Sequence, residues 1–169
     1  HKAAVGRKSP YAFVIPAAGR DPGATVEMLQ ALQTGGVEIE RASAPFTAAG
    51  VRYEAGTYVI RLAQPYGAFA KTLLETQTYP DLRLYPGGPP KPPYDITAQT
   101  LGLQFGIETV QIDHPFGADL RRVPPGKLTT PPARIGGRPS PVAPIGAGRN
   151  SSPRALNAIF AGALGGGGG

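Results

Sequence analysis

Apolar and polar positions alternate along the first two thirds of the chain with periods that change from segment to segment. Residues 11–15 (YAFVI) are a continuous apolar run closed by Pro16, the pattern of a strand buried on both faces. Asp21-Pro22 reads as an N-cap followed by proline at the first helical position, and Val26, Met28, Leu29 and Leu32 then recur at helical spacing. Gly35-Gly36 offers a left-handed helix stop. Residues 37–40 (VEIE) alternate as a second strand, so the opening is expected to be a right-handed β-α-β unit. The β-rich stretches 51–53 and 57–62 flank Glu54-Ala55-Gly56 and predict a hairpin. Tyr66, Phe69, Ala70, Leu73 and Leu74 predict a helix from Pro65 onward. A further helix is expected from an Asp95 N-cap through Ala98, Leu101 and Phe105 to a Gly106 stop, followed by a strand over 108–112.

This order predicts an α/β domain over residues 10–116, a small three-layer Rossmann-like sheet with a β-hairpin. A basic lead-in precedes it at 1–9. A Pro/Gly-rich basic linker is expected over 117–149, largely irregular, and 150–169 reads as a truncated helix of a following α/β unit plus a poly-Gly end. Between the last two predicted helices, residues 86–93 (PGGPPKPP) read as a stiff, polyproline-like loop hinged at Gly87-Gly88 and flanked by Tyr79, Tyr85 and Tyr94.

Charge follows the same division. All 11 acidic residues lie at or before Asp119, whereas Arg121, Arg122, Lys127, Arg134, Arg138, Arg149 and Arg154 give the tail only positive charge. The net charge of +6 therefore belongs to the tail, and a spaced basic linker is not the aromatic-laced basic face that a nucleic-acid reader presents. No apolar run approaches the roughly 18 residues a membrane helix needs. The chain opens on His1, as expected of a processed or excised piece.

Candidate chemistry is sparse. The absence of cysteine excludes disulfides, thiol nucleophiles and thiolate metal sites. His1 and His114 are the only histidines, no His-x-x-Glu or His-x-x-x-His pair occurs, and no Gly-x-Ser-x-Gly elbow is present. Glu38 and Glu40 share one strand face about 7 Å apart, a spacing compatible with acid/base work but also with a solvated, charged face. The turn over 16–20 (PAAGR) stands where nucleotide folds bind phosphate, but it lacks their glycines, and Asp21 fills the anion position. Two sets of contact residues follow. Arg20, Tyr66 and Asp95 are candidates for a ligand pocket at the strand C-termini, and Tyr79, Tyr85 and Tyr94 for an interdomain contact.

The segments AQPYGAFAKTLLE and YPGGPPKPPYDITAQTL are the most distinctive in the chain. With their surroundings, from about Pro10 to Ile112, they resemble the region downstream of the catalytic domain in large bacterial zinc carboxypeptidase-like metallopeptidases. RNSSPRALNAIFAGAL resembles the opening of a class I glutamine amidotransferase-like segment. In the metallopeptidase family zinc is held by His-x-x-Glu and a later His, with a glutamate base. None of these positions is present here, so no catalytic, metal or cofactor-binding residue carries over. The resemblance implies a non-catalytic accessory module of a secreted or periplasmic peptidase, its partner being the neighbouring peptidase domain or subunit. A small-molecule or peptide-binding α/β module is the alternative.

Overall fold

The computed structural model describes residues 10–76, 82–91 and 100–129. The expected β1 forms at Ala12–Ile15, with all four residues buried. Helix α1 follows at Pro22–Thr34, where the Asp21 side chain accepts from the Ala24 amide at 3.0 Å and Pro22 opens the first turn. The helix stops as its glycines predict. Gly36 takes φ 83, and the amides of Gly36 and Val37 bond back to the Gln33 and Leu32 carbonyls.

Strands β2 (Glu40–Ala42) and β5 (Tyr58–Arg61), helix α2 (Gly67–Leu74), helix α3 (Leu101–Phe105) and strand β6 (Val110–Ile112) complete the frame. The main sheet has the order β6-β1-β5-β2-β7, with β7 at Leu120–Arg122, and every ladder in it is antiparallel. β1 and β2 run parallel to each other, but β5 lies between them. This is a split β-α-β arrangement, and the order of β6, β1, β5 and β2 is the connectivity called ferredoxin-like. The structure is thus mixed α/β, and the Rossmann-like parallel sheet is replaced. The chain returns through β5 into the gap that the α1 crossover leaves open.

A second correction concerns the hairpin. Residues 51–53 do turn back, but onto β3 (Phe46–Ala48) rather than onto β5, giving a separate two-stranded sheet with β4 at Val51–Tyr53. Ala49 and Gly50, both at positive φ, make the two-residue loop. Glu54-Ala55-Gly56 instead carries the chain from that hairpin into the main sheet, the Gly56 amide bonding to the Ala42 carbonyl.

The core has two sides because β1 has two buried faces. Phe13, Ile15, Ile39 and Ile60 meet Met28, Leu29 and Leu32 of α1 and Ala70 and Leu74 of α2. On the opposite face Ala12, Val14, Val59 and Ile112 meet Phe46 and Ala48 of β3 and Tyr53 of β4. Phe46 stacks on Tyr53 and Phe116, with ring centroids 5.3 and 5.2 Å away. The layers are therefore helices, sheet and hairpin.

Regular structure also continues past residue 116. β7 pairs with β2, Leu128 is buried in the helix-side core, and the side-chain amides of Gln33 and Gln30 donate to the carbonyls of Val123 and Leu128. The remainder of the expected linker, from residue 130, and the expected helix near the C-terminus lie outside the described residues.

Candidate functional site

Three places carry exposed or polar groups brought together by the fold. The first is the proline-rich turn. Residues 82–91 fold back on themselves instead of extending as a polyproline stretch. Arg83 and Pro90 form a bridge, the Lys91 amide donates to the Leu82 carbonyl, and the Gly88 amide donates to the Tyr85 carbonyl at 2.9 Å. Tyr85-Pro86-Gly87-Gly88 is thus a β-turn with proline at its second position and Gly87, at φ 75, at its third. The Arg83 guanidinium adds a bond to the Gly88 carbonyl at 3.0 Å. Held by these internal bonds, the turn presents Leu82, Leu84 and Tyr85 to solvent, the last two 63% and 62% exposed.

The second place is a polar cavity of about 210 Å³ lined by Tyr11, Glu38, Glu40, Arg61, Ala63 and Gln64. Both glutamates line it, but the strand expected over 37–40 begins only at Glu40, so Glu38 stands just before β2; each is matched by an arginine. Both Glu40 carboxylate oxygens accept from Arg61, and Glu38 pairs with Arg122 at 2.9 Å. The Glu40 hydrogen bond holds the Arg61 guanidinium above its ordinary value, against the opposing effect of burial. Beneath them the buried Gln64 amide clamps the backbone of two residues. Its oxygen accepts from the Glu38 amide at 2.6 Å, and its nitrogen donates to the Glu38 and Arg61 carbonyls. Both carboxylates are engaged by arginines, so the cavity is a braced end of the sheet, where β5 leaves it and β1 and β2 enter.

The third place lies at the C-terminal ends of β1 and β2, where ligand loops were expected. A hollow of about 110 Å³ is bounded by residues of the 16–22 loop, by Thr25 and Val26 of α1, and by Arg41, Gly56 and Tyr58. The buried Thr57 hydroxyl steadies that loop by accepting from the Ala17 amide. The Arg41 guanidinium lies 5.5 Å from the Tyr58 ring centroid and donates through Nε to the Gly56 carbonyl.

The expected contact residues divide between these places. Arg20 is exposed in the loop that walls the hollow. Tyr66 stands at the other end of α1, its ring against Gly36, while Phe69 covers Gly35. Thirteen helical residues separate the two, about 20 Å, so Arg20 and Tyr66 do not line one pocket. Tyr85 sits on the exposed turn. Tyr79, Tyr94 and Asp95 lie outside the described residues. Gln64 and Arg41 were not singled out from the sequence. A lone glutamine beside a proline and a lone arginine after an alternating strand carry no local signal; their roles arise from partners far along the chain.

Among the described residues no group of three or more metal-ligating side chains is assembled, and His114 is exposed after β6. No described helix is long and apolar enough to cross a membrane. Comparison with protein-family models, curated proteins and solved structures finds no significant match.

Proposed function

We propose that this chain is a non-catalytic accessory module of a zinc carboxypeptidase-like metallopeptidase, packing on the neighbouring peptidase domain or subunit through its proline-rich turn. The observation that carries the reading is the turn itself. Three amides of residues 82–91 bond to carbonyls of the same segment, which leaves Leu82, Leu84 and Tyr85 in water. A preformed apolar projection loses little conformational entropy on docking, and exposed apolar groups held rigid are what interfaces bury. The same segment carries the resemblance to the region beside a peptidase domain. On this reading zinc and the catalytic residues belong to the partner domain, and the parent protein acts in the periplasm or outside the cell.

The gene should encode a zinc-peptidase domain immediately upstream of His1; a different neighbour removes the main support for the parent family. With that domain in hand, the Leu84→Ser, Tyr85→Ser double variant should bind it at least about tenfold more weakly, the effect of losing about 1.4 kcal/mol of apolar contact. Unchanged affinity sinks the docking role. A zinc-dependent peptidase activity in the isolated chain, abolished by chelation, overturns the non-catalytic assignment.

A further inference from the structure

Arg41 of β2 and Arg121 of β7 are register partners. Directly opposed residues leave an antiparallel sheet on the same side, with Cβ atoms about 5 Å apart. The row that contains them runs Ile15, Tyr58, Arg41, Arg121 across β1, β5, β2 and β7. Ile15 belongs to the helix-side core, which fixes the side. One step along the strands, Ile39 is buried in that core and Val123 packs against it. Arg41 therefore lines the hollow at the strand ends, and Arg121 stands next to it on β7, on the same side of the sheet.

Like charges placed directly opposite destabilise a sheet. Elsewhere on the described strands and hairpin the arginines are matched: Arg61 with Glu40, Arg122 with Glu38, and Arg52 with Glu54. Among the described residues neither Arg41 nor Arg121 has an ion-pair partner. Asp119, two positions before Arg121, pairs with neither. Arg41 is nonetheless held in place, by the Tyr58 ring and the Gly56 carbonyl, with its terminal nitrogens left over. The Asp21 carboxylate is turned inward to the α1 amides and is only 3% exposed, so it does not face the hollow. Arg20 adds an exposed cation on the loop wall.

We propose that Arg41 and Arg121 form a binding site for a phosphate group at the rim of this hollow. Two guanidinium forks present donors in pairs that match phosphate oxygens, and a dianion balances both charges where a carboxylate leaves one uncompensated. The hollow beside Tyr58, about 110 Å³, has room for the first atoms of an ester group. The site is separate from the docking turn, so either assignment stands or falls without the other.

The test titrates the full chain at low ionic strength with inorganic phosphate, phenyl phosphate and acetate, read by calorimetry and by arginine Nε resonances. Phosphate is expected to bind, to shift the Arg41 and Arg121 signals, and to bind at least about tenfold more tightly than acetate. Phenyl phosphate binding more tightly than inorganic phosphate marks an ester as the ligand; equal or weaker binding marks the free anion. Arg121→Gln should weaken phosphate about tenfold or more, the loss of one charge-assisted pair. Arg52→Gln, on the separate hairpin, should stay within about twofold. Absent or acetate-like binding, or equal losses in the two variants, overturns the proposal. A second readout needs no ligand. Without phosphate, Arg121→Gln should melt no lower than the parent chain, because it removes a repulsion; a lower melting temperature makes the pair structural and overturns the site.

Discussion

Gln64 shows how one side chain can take the place of a strand. Its amide meets the Glu38 backbone at both donor and acceptor and reaches the Arg61 carbonyl as well, all within a buried space. Gln64→Met keeps the volume but leaves the Glu38 amide and two carbonyls without partners. At about 1–3 kcal/mol for an unsatisfied buried group, partly offset by water entering the adjoining cavity, the loss should be about 2–4 kcal/mol in denaturant unfolding. Tyr53 gives a second test at this scale. Burial, and secondarily the Glu108 charge, push its phenol above the ordinary 10.0. The unfolded chain then releases that proton first, so the contribution is complete below pH 10.0 and is lost as pH rises through the folded value. Tyr53→Phe should therefore flatten the alkaline limb of stability against pH; an unchanged limb assigns the sensitivity to other groups. Neither role was legible in the sequence. A glutamine and a tyrosine advertise no partners, and both depend on residues brought in from 26 or more positions away.

At the scale of elements, local chemistry was readable wherever both the signal and its partner were local. Asp21-Pro22 and Gly35-Gly36 bound α1 because caps act within a few residues. The helix at 67–74 was legible, but its expected face was too wide. Ala70 and Leu74 are buried, while Tyr66 and Phe69 lie outward over the glycines that end α1. The hairpin was misread because 57–62 carries the stronger β pattern, whereas the tight turn lies at Ala49-Gly50. A two-residue loop with both residues at positive φ favours Asn-Gly, and alanine at φ 48 stands in a region costly to a side chain without a local hydrogen bond. Ala49→Asn should stabilise the protein by about 0.5–1 kcal/mol, seen as a higher denaturant midpoint at unchanged slope. A fall in midpoint means that the hairpin uses a different turn.

For the whole molecule, strand order is what the sequence pattern does not carry. A continuous apolar run marks β1, a β-branched and aromatic stretch β5 and apolar alternation β6, but nothing in 58–61 announces that it enters between β1 and β2. Pairing of that kind is settled by which faces remain open once α1 has crossed. The same reasoning explains why β7 escaped notice. Leu120-Arg121-Arg122 is short, basic and followed by two prolines, so its composition reads as linker, while its backbone completes the ladder with β2. Because Leu128 then enters the helix-side core and two glutamines of α1 hold the segment by its carbonyls, 117–129 is a structural part of the sheet. Two truncations separate this from the linker reading. A chain ending at Thr129 keeps β7 and Leu128; one ending at Phe116 loses both, with the burial of one leucine side chain alone worth about 2–3 kcal/mol. The shorter chain should be less stable than the longer by at least about 3 kcal/mol, once the exposed β2 ladder is included. In limited proteolysis it should also be cut within the core that the longer chain protects. Equal stability of the two would return β7 to the linker and leave β2 as the edge of a four-stranded sheet.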